Sequence, residues 1–325
     1  MILGNTLEYL SEALPVKGRA LSLRRFFNQS LINSLNYLLE ACDEVIPVDL
    51  FSKVHQNLNS LKPESKLSGL LSALHADLIK AIEQQDIQKI LHIANILSKD
   101  NFQVEKMTYI NFSSLNHYYT SLIKPIFSYE ITRDVQFLSF SSQEFKNVKK
   151  SIEKGQKILK QFFPNFFKEF EEMTSEILIL NAHGLRAGSS INLFGMIYKS
   201  YQYKWRKISD ILEFLIHEPS HLYVFLLNKD DQLILNATEK HESPLREEKR
   251  PLMGIYHATF VLARVSYVLS KALLLNAIPE NERDYSQELL ADYRKRFFEG
   301  FKTLQTHAQM TPLGQALITS ASKLV

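Results

Sequence analysis

Residues Ile211–Asn228 read ILEFLIHEPSHLYVFLLN. Apolar side chains crowd both ends, and between them His217-Glu218-Pro219-Ser220-His221 forms an H-E-x-x-H. The apolar spacing predicts a helix beginning near Ser209, whose hydroxyl is the expected cap. On a helix, residues i and i+4 lie one above the other, so His217 and His221 present both imidazoles to one point. Glu218 stands beside that pair, where a carboxylate can polarise a metal-bound water. Pro219 removes the hydrogen bond to the Leu215 carbonyl and predicts a kink, at a cost of about 3 kcal/mol if nothing compensates. The alternative to a metal centre is two buried histidines bonded to backbone, which leaves a clustered polar group costly to bury.

Two imidazoles do not complete a catalytic metal site, which needs a third ligand and open positions. One zinc-peptidase pattern, H-E-x-x-H-x-x-G-x-x-H, fails here, because Val224 and Leu227 stand where its Gly and third His belong. Glu239, Glu242 and His241 lie within reach in sequence, but in a polar, loop-like stretch. His257 opens a strongly apolar helix, MGIYHATFVLARV, and beside the histidine pair it is the preferred third ligand. Taken alone it reads as an ordinary core histidine. Arg264 follows seven residues later, on the same helical face and about 10.5 Å along the axis. Its guanidinium either reaches back to hold a carboxylate in a two-pronged bond or pairs with a neighbouring helix. Arg246 and Arg250, in the loop before that helix, compete for the carboxylate.

Working outward, the first half reads as helix. RALSLRRFFNQSLINSLNYLLEACDEV places Leu21, Phe26, Leu31, Leu35, Leu38 and Leu39 at helical spacing. One or two amphipathic helices follow in 65–99, and another in 141–175 with a break near Pro164. The texture changes near residue 175. Short Ile- and Leu-rich runs predict strands at 176–181 and 191–199 around a Gly/Ser turn, and a third at 231–238. A loop set by Pro244 and Pro251 then leads into a helix over 255–276, a helix over 286–308 and a short one after Pro312. The expected fold is α+β and predominantly helical, with a helical region at 1–174 and a region at 175–325 holding a small sheet and the H-E-x-x-H helix. No linker separates them, so they are expected to pack as one body. The helical region is a candidate platform for substrate or a leader peptide.

The 325 residues are 45% hydrophobic and 22% charged, with a net charge of +3. That balance fits a globular chain and is too weak an excess to indicate nucleic acid. Glu8 and Glu12 interrupt the first apolar stretch, so no signal peptide is expected. No apolar run is expected to span a bilayer. The one cysteine, Cys42, fits a reducing cytoplasm. Lys146, Lys149, Lys150, Lys154, Lys157 and Lys160 form a basic stripe, read as a solvated helix face; its other reading is a dock for an acidic leader. HGLRAGSS (183–190) lacks the Gly-Lys-Ser/Thr of a phosphate loop, and no Gly-x-Ser-x-Gly nucleophile elbow occurs.

Between about 209 and 266 the chain resembles the HExxH-motif proteins associated with peptide modification. The residues that carry the likeness are His217-Glu218-x-x-His221, Ser243-Pro244-Leu245-Arg246, Arg250-Pro251-Leu252, Gly254, His257 and Phe260-Val261-x-Ala263-Arg264, with AQMTPLGQALI near the C-terminus. The resemblance implies an iron(II)- and 2-oxoglutarate-dependent oxygenase that hydroxylates a side-chain β-carbon in a ribosomally made precursor peptide. It implies His217, His221 and His257 as ligands. Three imidazoles leave three octahedral positions for co-substrates, and Arg264, Arg250 or Arg246 would hold the far carboxylate of 2-oxoglutarate. Glu218 would then orient a ligand rather than act as a base. Imidazole suits zinc and iron alike. The competing expectations are therefore a zinc metallopeptidase using Glu218 as general base and a non-catalytic peptide binder with a relic site.

Overall fold

The computed structural model describes residues 6–129, 135–243 and 246–325, with side chains left undescribed at 128, 129, 246 and 247. In chain order the helices are α1 (Leu7–Ser11), α2 (Arg19–Glu40), α3 (Val48–Ser60), α4 (Gly69–Glu83), α5 (Ile87–Leu97), α6 (His117–Tyr129), α7 (Ser142–Phe162), α8 (Pro164–Met173), α9 (Ile208–Asp230), α10 (Leu252–Leu274), α11 (Arg283–His307) and α12 (Pro312–Ser322). The strands are β1 (Lys66–Leu67), β2 (Gln103–Val104), β3 (Thr108–Asn111), β4 (Gln136–Phe137), β5 (Glu176–Leu180), β6 (Ala182–His183), β7 (Ala187–Ser189), β8 (Met196–Ser200), β9 (Lys240–Ser243) and β10 (Arg246–Pro251). The fold is mostly helical with small sheets. Two compact units emerge, and neither is one continuous stretch of chain: Met1–Leu23, Ser142–Met173 and Tyr203–Val325 form the first, Arg24–Ser141 and Thr174–Gln202 the second.

The second unit is organised by the sheet β3-β5-β8-β7, in which β3, β5 and β8 run parallel and β7 is antiparallel to β8. β5 is buried at every residue, which is why EILIL is apolar throughout after its first position rather than alternating. That first position is Glu176. Its buried carboxylate accepts from the Ser68 hydroxyl and from the Gly69 amide at 2.9 Å, so it caps α4 from the sheet. The strands expected at 176–181 and 191–199 are present as β5 and β8, with Ile191–Leu193 as a 3-10 turn ahead of β8. β3 was not anticipated. It lies in a part of the chain read as helical, and its four residues gain their strand geometry only by pairing with β5, Tyr109 against Ile177.

Among the described residues the first unit is helical apart from the β9–β10 hairpin. α9 packs on α7, α8 and α10, and α10 also on α11 and α12. α9 runs from Ile208 to Asp230 straight through Pro219. Its cap differs from expectation. Ser209 lies inside the helix with its hydroxyl buried and unbonded, and the first turn is closed by Glu282, whose carboxylate accepts from the Ile208 amide at 2.7 Å. A carboxylate from another element thus satisfies the helix dipole.

The strand expected at 231–238 is a turn. Only Ile234 bridges to Met310, while the Asn236 side chain bonds His307 and Gln309 and folds the chain back on itself. The segment expected as loop is instead the hairpin β9–β10, with Arg250 opposite His241 and an irregular register; Pro244 and Leu245 lie outside the described residues. The hairpin delivers the chain to α10, whose Leu252 and Met253 amides bond the carbonyls of Glu239 and Ala237. Contrary to expectation, α10 is long and apolar enough to cross a membrane by length and composition alone. It is 83% buried over that span, as a core helix is.

Candidate metal centre

Every fourth residue along α9 from Glu213 gives Glu213, His217, His221 and Phe225, a slowly turning row on one face. α10 brings His257 against this row. His217 Nε2 and His221 Nε2 stand 3.1 Å apart. Two nitrogens bound to one ion by bonds of about 2.0–2.1 Å would be separated by about 3.0–3.4 Å, so this pair already has the spacing of neighbouring ligands. His257 Nδ1 lies 3.3 Å from His221 Nδ1, and the two rings stack 5.5 Å apart at 21°. Phe225 closes the apolar side, 4.6 Å from the His257 ring.

The three imidazoles are thus adjacent, with His221 in the middle, but His217 and His257 face different nitrogens of its ring. As placed, no three His, Cys, Asp or Glu side chains among the described residues converge as a metal-holding group. A half-turn of the His221 ring leaves its outline unchanged and exchanges Nε2 with Cε1, the ring atom between its two nitrogens. His221 would then turn Nε2 to the side between its two neighbours, in exchange for its present 3.1 Å approach to His217 Nε2.

The electrostatics suit ligation. Burial first, then the charges of His217, His257 and Arg250, hold the His221 pKa well below its ordinary 6.5. Burial and then the Arg250 charge push His257 down to about 3. Both imidazoles therefore stay neutral, the form that binds a metal. His217 is different: 28% of its side chain is exposed, so the cluster opens to solvent on that side while His257 closes it within the core. Its Nδ1 lies 2.9 Å from Glu213 Oε1. Glu213 was missed in the sequence reading, although its place four residues before His217 was there to see.

The remaining candidates separate. Glu218 is buried at 4% exposure, on α9 beside the pair. Arg250 lies over the start of α10, its guanidinium carbon 3.5 Å from where a Cβ on Gly254 would stand. Gly254 and His257 share a helical face, which accounts for the charge felt by both buried imidazoles. The side chain of Arg246 lies outside the described residues. Arg264 points elsewhere. It is fully buried, pairs with Glu169 of α8 and donates to the Ser220 hydroxyl at 3.0 Å, among the rings of Phe166, Phe260 and Tyr223. The neighbouring-helix partner, one of its two expected readings, is what the fold provides. The other ligand candidates are engaged away from the cluster: His241 stacks on His307 at 4.1 Å beside Glu239, and Glu242 faces Lys249 at 3.8 Å.

No protein-family model matches this chain, and no match to it is found among curated proteins.

Proposed function

We propose that the protein is an iron(II)- and 2-oxoglutarate-dependent oxygenase that hydroxylates a side-chain β-carbon of a ribosomally made peptide, acting in the cytoplasm. His217, His221 and His257 would hold the metal. The observation that carries this reading is the meeting of three imidazoles from α9 and α10, two with nitrogens 3.1 Å apart and two kept neutral beside a cation. The donor set fits a borderline ion such as Fe(II) or Zn(II). When bound, iron supplies oxygen activation driven by oxidation of the keto acid.

The choice of oxygenase over peptidase rests on Arg250 and on the family resemblance. Arg250 stands close enough to the imidazoles to act on both buried ones, where a guanidinium can fasten the far carboxylate of 2-oxoglutarate. It replaces Arg264 in that role, because Arg264 is occupied with Glu169. The buried Glu218 orients the centre from beside the ligands. On this reading co-substrate and peptide would approach from the side of His217, which is 28% exposed. The peptide as substrate follows from the resemblance alone.

The test is anaerobic. Protein loaded with Fe(II) and given 2-oxoglutarate should develop a broad visible charge-transfer band, lost in His257→Ala. Absence of any band, together with one tightly held zinc in the protein as isolated and peptidase activity abolished by Glu218→Gln, would replace this reading with a zinc metallopeptidase.

A further inference from the structure

The row on α9 begins one turn before the first candidate ligand, and what stands there is a carboxylate. We propose that Glu213 is a positioning residue that sets the tautomer and ring direction of His217; this rests on the reading of the cluster as a metal centre. Glu213 Oε1 is 2.9 Å from His217 Nδ1. A carboxylate accepts and does not donate, so a neutral His217 must carry its proton on Nδ1. The Nε2 lone pair is then left facing His221 Nε2, 3.1 Å away. An imidazole that donates one N–H to a carboxylate while its other nitrogen binds an ion is the usual means of fixing a metal-ligating histidine.

A lone carboxylate on a half-exposed helical face would swing among rotamers. This one does not stand alone. Tyr293 of α11 lies near it, and ionisation of that hydroxyl is opposed by burial first, then by the Glu213 and Asp210 carboxylates, so it stays neutral. One turn towards the N-terminus, the Tyr285 hydroxyl donates to Asp210 at 2.7 Å, and Lys207 lies over the Tyr285 ring at 3.4 Å. Glu282 closes the helix end on Ile208. α11 and the turn before it therefore grip the first two turns of α9 by polar contacts, and Glu213 passes that fixity to His217. Rotation of this end of the helix about its axis would break the Tyr285–Asp210 and Ile208–Glu282 bonds together.

The experiment compares wild type with Glu213→Ala, Glu213→Gln and Tyr293→Phe. Two readouts are taken: Co(II) affinity by calorimetry under nitrogen, and the imidazole tautomers of the metal-free protein by 15N NMR at pH 8. The expected result is a Co(II) affinity about 10- to 100-fold weaker in Glu213→Ala, with His217 losing its Nδ1–H preference. Glu213→Gln, whose amide oxygen still accepts, should keep the tautomer and recover most of the affinity. Tyr293→Phe should fall between them. Glu213→Ala binding Co(II) as wild type does, with the tautomer unchanged, overturns the positioning role. Wild type that binds no divalent ion overturns the metal reading instead. The positioning role is then decided by the tautomer alone: its loss in Glu213→Ala sustains the role and its persistence removes it.

Discussion

Arg264 and Ser220 are joined by a 3.0 Å hydrogen bond from Nη1 to Oγ, and the second guanidinium nitrogen pairs with Glu169. Ser220 precedes His221, and its own hydroxyl donates to the Ile216 carbonyl at 2.6 Å. α8, α9 and α10 are therefore tied at one buried polar point directly behind the histidine pair. Glu169 has a second cation nearby, Arg19 at 3.9 Å, itself held by the carbonyls of Tyr9, Glu12 and Leu14.

Arg264→Ala should cost about 3–5 kcal/mol of stability, because it leaves a buried carboxylate short of its main partner. The KM for 2-oxoglutarate of the protein that folds should not change. Urea unfolding and co-substrate kinetics check the two halves separately. A raised KM at unchanged stability would return Arg264 to the co-substrate.

Arg250→Ala should behave in the opposite way. Arg250 is half-exposed on an irregular hairpin, so stability should move by less than about 0.5 kcal/mol. The requirement for 2-oxoglutarate should rise about tenfold to a hundredfold, as expected for losing a charge-assisted hydrogen bond. Anaerobic titration of the charge-transfer band measures it, and an unchanged midpoint would dismiss Arg250.

Acid should destabilise the metal-free protein in a defined window. In the unfolded chain His221 and His257 take up protons near pH 6.5. Folded, both pKa values are depressed, that of His257 to about 3. Below 6.5 the unfolded state binds more protons, so the stability is fully present above that pH and is lost as pH falls towards 3. Each imidazole contributes up to about 1.4 kcal/mol per pH unit. Urea unfolding in chelator at pH 7 and pH 5 should show the loss, with a shallower slope in His257→Leu. Equal stability at both pH values would mean that the imidazoles are not kept neutral.

Gly155→Ala tests how closely α7 approaches the candidate centre. A Cβ there would stand 2.3 Å from Ile211 Cγ2 and 3.2 Å from Ile211 Cβ, on the same α9 turns that carry Glu213. Helix propensity favours Ala by about 1 kcal/mol, but overpacking of this degree costs about 1–3 kcal/mol. The net should be destabilising, with weakened Co(II) binding as α9 shifts. A variant more stable than wild type would show that α7 yields freely at this crossing.

Much of this protein could be read without coordinates. The helices α2, α4 and α5, the α7–α8 break at Pro164, the long helices α9 to α11 and the short α12 follow from apolar spacing and breaker residues, because those signals act within a few turns of chain. So does the adjacency of His217 and His221, a consequence of helical pitch alone. Glu213 belongs to the same local pattern and could have been found there.

What the sequence did not determine depended on partners distant in the chain. The four residues of β3 become a strand only beside β5, and 231–238 fails to become one because Asn236 finds acceptors and donors at 307 and 309. The cap of α9 comes from Glu282 and not from Ser209. The approach of His257 to His221, and the turning of Arg264 towards Glu169, were decided by how α8, α9 and α10 pack. Helical periodicity fixes which face a residue is on. Only packing decides what that face meets, because burial of apolar surface selects the contact and the polar groups take the partners that contact leaves within reach.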